Sequence, residues 1–188
     1  VDLIGYAHTP FGKLPGAEVE ALMREVASTA VTDAQLEANE IDAVVVGHFN
    51  PGFVKQGFTA GLSGGLLPGL QMVPAVRVEN ACATGSAAIH HAQALIASGQ
   101  ARHVLAIGVE VMSALPTREV GQALLQACYV KEEIETPAGF AGMFAKLADA
   151  YAERHGDPHP AMARIAAKNH ANGLHNPLAQ LHLDVDAA

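Results

Sequence analysis

Residues 43–47 are an unbroken apolar run, with three valines between an alanine and a glycine and polar or turn-forming residues on either side. A stretch that short and that continuous predicts a strand buried on both faces of a sheet. Residues 73–78 and 103–111 repeat the pattern. Residues 3–7, stopped by Thr9-Pro10 and Gly12, predict one more strand. Between these runs the rhythm changes. Val19, Leu22, Met23, Val26 and Ala30 recur at spacings of three and four, which predicts a helix within residues 18–39. Residues 83–98 predict a second helix, closed by Gly99 just past its end, and residues 56–66 a third, weakened by glycine. Strands that alternate with helices imply parallel pairing, with the crossover helices lying over both faces of the sheet. The expected class is α/β.

Beyond Met112 the strand signal stops. Residues 139–155 and 161–172 carry helical spacing, and Gly156-Asp157-Pro158 breaks the chain between them. Two regions are therefore expected: an α/β core over residues 1–112 and a mostly helical excursion over residues 113–188.

Composition narrows the functions open to such a chain. Half of the 188 residues are hydrophobic and 16% are charged, enough for a packed core and too apolar for a disordered chain. The formal net charge of -8 repels phosphate backbones and anionic membranes, so no nucleic-acid partner is expected. No apolar run approaches the roughly 20 residues of a membrane helix, and the start carries no leader pattern. A cytoplasmic location without membrane insertion is the expectation. Two cysteines, Cys82 and Cys128, make no disulfide framework and are expected as free thiols.

Their settings differ. The stretch Val76-Arg77-Val78-Glu79-Asn80-Ala81-Cys82-Ala83-Thr84-Gly85 is a β-branched strand, a turn holding the cysteine, and the start of a small-residue helix. In a parallel sheet that junction lies at the carboxyl edge, where ligands bind. The free amides and positive end of a helix favour a thiolate there and can hold a developing oxyanion. Ala83, Gly85, Ala87 and Ala88 leave room for a substrate and for close helix packing. A buried cysteine that only fills space is the competing interpretation.

Glu79-Asn80-Ala81-Cys82-Ala83-Thr84-Gly85-Ser86-Ala87-Ala88 resembles the nucleophile motif of the thiolase superfamily, in particular its acetyl-CoA acetyltransferase and sterol-carrier-protein-2-like branches. Thr9-Pro10-Phe11-Gly12-Lys13 is similar to the exit of the family's first strand. Gly108-Val109-Glu110-Val111-Met112-Ser113 is similar to its fourth strand and the start of its lid. Lys168-Asn169-His170 and Asn176-Pro177-Leu178-Ala179-Gln180 are similar to a lid helix and the loop after it. The resemblance implies a thiolase-like N-terminal core with part of the lid. It also implies acyl transfer in lipid metabolism: Cys82 takes an acyl group from a coenzyme A thioester, and a second thioester's carbanion attacks it. By the same resemblance Asn80, Ala83, Gly85, Met112, Ser113 and His170 border the substrate, coenzyme A is a substrate and no cofactor stays bound. A homodimer, or a partner subunit that supplies the missing half, is implied too.

The family's second core copy contributes an Asn-Glu-Ala stretch, a Gly-His-Pro histidine and a Cys-x-Gly cysteine, and none of these is present. The fifth strand that follows the lid is absent as well. A truncated piece, a proteolytic fragment and one subunit of a split enzyme all fit that pattern. Alternatives to a thiolase-type acyltransferase are a non-catalytic subunit, and a retro-aldolase of the same branch working with a small OB-fold partner. Gly61-Leu62-Ser63-Gly64-Gly65 matches a serine-hydrolase elbow as a string, yet no strand pattern precedes it. The ten histidines show no metal-ligand spacing, so solvated or capping roles and no metal site are expected.

Overall fold

The valine run is β1 (Ala43–Gly47), and all five residues are buried in the computed structural model, which describes residues 1–14 and 16–187. Two compact units make up the chain: Val1–Thr9 with Pro15–Ala114, and Pro10–Leu14 with Leu115–Ala188. In the first unit β1 is the middle of three parallel strands, flanked by β2 (Ala75–Val78) and β3 (Val104–Gly108). Val45 stands opposite Val76 and Ala106, and Gly47 opposite Val78 and Gly108.

Strand periodicity sends Val44 and Val46 to one face and Val45 to the other. Helix α1 (Val19–Asp33) covers the first face with Met23, Ala27 and Val31, which cluster with Leu105 and Ile107. Helix α2 (Thr84–Ala97) covers the second by laying Ala88 and Ala92 on Val45. That approach is close because Gly47 has no side chain. A Cβ there would stand 3.0 Å from the Thr84 carbonyl oxygen and 3.3 Å from Ala88 Cβ. α2 closes as expected at Gly99 (φ +73), where the Gly99 and Gln100 amides bond back to Ile96 and Leu95.

Several expectations are corrected. Residues 3–7 form no strand. They line a cavity of about 660 Å³ whose other wall includes β3, so no ladder closes between the two. The Tyr6 amide bonds the Asp33 carboxylate instead, at 2.8 Å. β3 is shorter than residues 103–111 and is not buried on both faces. Leu105 and Ile107 are buried, whereas Ala106 and Gly108 look into that cavity and are exposed. α1 stops at Asp33, short of residue 39, because Gln35 takes a left-handed φ of +56 and the Leu36 amide turns back to Val31. Residues 56–66 make a 3₁₀ stretch, Thr59–Gly65, rather than an α-helix, consistent with the glycines at 57, 61, 64 and 65.

The second unit is helical: α3 (Thr117–Leu124), α4 (Val130–Glu133), α5 (Gly139–His155) and α6 (His159–Gly173). α3 packs on α5, and Leu125 is fully buried. α5 has the span its spacing predicts. α6 begins two residues before residue 161, since Pro160 suits a first helical turn and the Asp157 carboxylate accepts the His159 amide at 2.9 Å. No helix among the described residues is long and apolar enough to cross a membrane.

Candidate active site

β2 ends at Val78, a single 3₁₀ turn spans Ala81–Ala83, and α2 begins at Thr84. Because the three strands are parallel, this junction shares one sheet edge with the ends of β1 and β3. Ala81 holds φ +46, a conformation that costs a residue with a Cβ about 1–3 kcal/mol and persists only where neighbours enforce it. The neighbours are visible. Thr84 Oγ1 accepts the Asn80 amide at 2.9 Å and donates to the Ala81 carbonyl at 2.6 Å. The Glu79 carboxylate accepts the Ala81 amide, and the Ala83 amide bonds the Asn80 carbonyl at 2.9 Å.

Cys82 stands in the middle of this turn, exposed, two positions before a helix of 14 residues. α2 carries no acidic residue in its first turn and no side-chain cap. The positive end of the helix is therefore open to an anion or a polarised carbonyl beside the sulfur. A thiol there can attack a carbonyl carbon while the helix end favours the oxyanion that develops.

Asn80, Ala83 and Gly85 lie in or next to the same turn and are exposed. Open space surrounds the position a Gly85 Cβ would take, so this glycine serves room and not close packing. Met112 and Ser113 form a 3₁₀ turn past the end of β3, at the same sheet edge, with Met112 partly exposed rather than in the core. His170 lies on α6 in the helical unit. Cys128, half-buried, follows the 3₁₀ turn Leu125–Ala127 in that unit.

Ser63 is buried in the 3₁₀ stretch and donates to the Ala60 carbonyl at 2.7 Å, with no strand leading to it. It lacks the geometry of a hydrolase elbow. Among the described residues no group of three His, Cys, Asp or Glu could hold a metal ion.

One histidine at this edge is neither solvated nor capping, contrary to expectation. His48, just past β1, is fully buried. Its Nδ1 is 3.2 Å from Thr59 Oγ1, and its Nε2 is 3.3 Å from Glu110 Oε1, within ion-pair range but without hydrogen-bond alignment. Two signals were available: a polar residue directly after a wholly buried run, and Glu110 interrupting the apolar residues Val109 and Val111.

The cysteine stands on a strand-to-helix turn at the carboxyl edge of a parallel sheet, the edge where ligands bind in sheets of this kind. The family is defined by comparison. The pattern described as "Thiolase, N-terminal domain" matches residues 1–185, and the chain belongs to that family. The acetyl-CoA acetyltransferase of Methanothermobacter thermautotrophicus is 31% identical over 188 residues, 98% of this chain and 48% of that protein. The acetyl-CoA acetyltransferase of Methanocaldococcus jannaschii is 32% identical over 186 residues, 98% of this chain and 47% of that protein. This chain thus spans about half the length of those relatives. Among solved structures, the Ltp2-ChsH2(DUF35) aldolase matches with a TM-score of 0.71 at 20% identity, over 94% of this chain and 44% of that one. That likeness is one of fold.

Proposed function

We propose that this chain is the nucleophile-bearing half of a thiolase-type acyltransferase. In the proposed reaction the Cys82 thiolate attacks the carbonyl carbon of an acyl-coenzyme A. A carbon–sulfur bond to Cys82 forms, the bond to coenzyme A breaks, and the coenzyme A thiolate leaves with the electron pair. The carbanion of a second thioester then takes the acyl group from Cys82, and the reverse sequence is thiolytic cleavage of a 3-ketoacyl-coenzyme A. The observation that carries this reading is the exposed Cys82 held on a side-chain-braced turn at the open end of α2. Membership of the thiolase family supports it.

No Gly-His-Pro histidine or Cys-x-Gly cysteine occurs in these 188 residues. A placed proton-transfer group contributes roughly 10²- to 10⁴-fold. These 188 residues by themselves are therefore proposed to accept one acyl group without sustained turnover, the proton-transfer groups having to come from residues outside them. Incubation with acetyl-coenzyme A followed by intact-mass and peptide analysis tests this. One acetyl group on Cys82, none on Cys128 and none on Cys82→Ser is the expected result. Folded protein in which iodoacetamide labels both cysteines equally slowly, and in which no acyl group is transferred, would count against the assignment.

A further inference from the structure

We infer that Arg77 and Glu110, acting through the backbone of residues 48–50, are positioning residues for the Cys82 turn. Arg77 lies on β2, the strand that leads into the turn. Its Nε donates to the His48 carbonyl at 2.8 Å and its Nη2 to the Phe49 carbonyl at 2.7 Å. From the other side of the sheet, the Glu110 carboxylate accepts the Phe49 amide at 3.1 Å and the Asn50 amide at 3.2 Å. The His48 amide adds a bond to the Val78 carbonyl at 3.3 Å, the last residue of β2. Consecutive backbone groups of residues 48–50 are thereby held, carbonyls by a cation and amides by an anion.

The short loop between those two charges ties the carboxyl ends of all three strands together. Asn50 closes it in the left-handed conformation (φ +43), with its side chain bonding the Val54 amide and the Val54 and Gln56 carbonyls. His48 anchors the loop from beneath, its ring wholly buried between Thr59 and Glu110. Apolar side chains could join strand ends as strongly. A polar set of this kind adds one fixed geometry, because its bonds are directional and the guanidinium is a rigid fork. The end of β2, and with it the departure of Glu79-Asn80 toward Cys82, inherits that geometry.

The purpose assigned to the brace rests on the proposed function, but its geometry does not, and the experiment keeps the two apart. Hydrogen exchange with mass spectrometry is followed on the whole chain. Arg77→Lys keeps the charge and loses the fork, and Glu110→Ala removes both acceptors. Each is expected to speed exchange over residues 79–85 about tenfold, with α5 and the second half of α2 unchanged. Glu110→Gln, whose amide oxygen can still accept from the loop, is expected to recover most of the protection. Faster exchange confined to residues 48–56, with the Cys82 turn unchanged in all three variants, would overturn the inference. So would a loss of protection spread evenly along the chain, which marks a general structural role. Acylation of the unaltered chain is measured alongside. Its absence, with the exchange pattern as expected, counts against Cys82 as nucleophile and leaves the brace standing.

Discussion

Two glycines near Cys82 do opposite things, and substitution separates them. Gly47 lets α2 lie against β1, and an added methyl would meet Thr84 Cγ2 at 3.1 Å and Ala88 Cβ at 3.3 Å in a packed interior. Thr84 also ties the Cys82 turn, so the strain falls on the site itself. Gly47→Ala is expected to destabilise the chain by about 1–3 kcal/mol in urea denaturation. Gly85, with open space around it, should accept alanine with a gain of up to about 1 kcal/mol from helix propensity. If that space is kept for an acyl group, Gly85→Ala should slow acylation of Cys82 while the denaturation midpoint holds or rises. A loss of stability at Gly85 equal to that at Gly47 would show that both glycines serve packing.

At the scale of elements, one carboxylate joins the start of β1 to the start of β3. Asp42 accepts the Arg102 amide at 2.7 Å and the His103 amide at 3.0 Å, and the Asp42 amide bonds the His103 carbonyl at 2.9 Å. The His103 amide first, and then the Arg102 amide, hold its carboxyl below the ordinary carboxylate range. The sign follows from linkage. In the folded chain the carboxylate stays ionised at a pH where the unfolded chain has taken up a proton, so the stabilisation is complete above the unfolded value of about 3.9. It is lost as pH falls from there through the folded value. Asp42→Asn should therefore lower the urea midpoint at neutral pH, and the gap from wild type should close on acidification below about pH 4. A gap that stays constant down to the acid limit would mean that the charge contributes nothing.

The elements that were legible in the sequence are those whose cause is local. Three consecutive valines have one good environment, and β1 has the predicted bounds. Gly139 to His155 has helical spacing with a glycine after it, and α5 matches it to the residue. The Cys82 turn was legible for the same reason, since strand, turn and small-residue helix follow one another in sequence. What was missed depends on distant residues. Residues 3–7 have strand composition, but a strand exists only against a partner, and a cavity separates them from β3. His48 is a buried anchor only because Thr59 and Glu110, 11 and 62 positions on, meet around its ring.

For the molecule as a whole, the open sheet edges decide how it behaves in solution. β2 and β3 are the two edges of the three-stranded sheet, and neither is paired on its outer side among the described residues. Ala75 and Val76 are exposed on β2, and the amides and carbonyls of such an edge are a template for another strand. Apolar surface adds to this. Met72 is 93% exposed and Leu3 87%, and Phe144, Leu147 and Tyr151 fall at helical spacing on α5, each more than half exposed. The chain alone is thus expected to form dimers or larger assemblies at low micromolar concentration, visible by light scattering or sedimentation velocity. If pairing runs through β2, a charge on its edge should oppose it. Val76→Lys is expected to weaken association about tenfold or more while leaving Cys82 acylation in place. An unchanged assembly in that variant would move the contact to β3 and the cavity beside it, and a wild-type monomer would mean that both edges are already blocked.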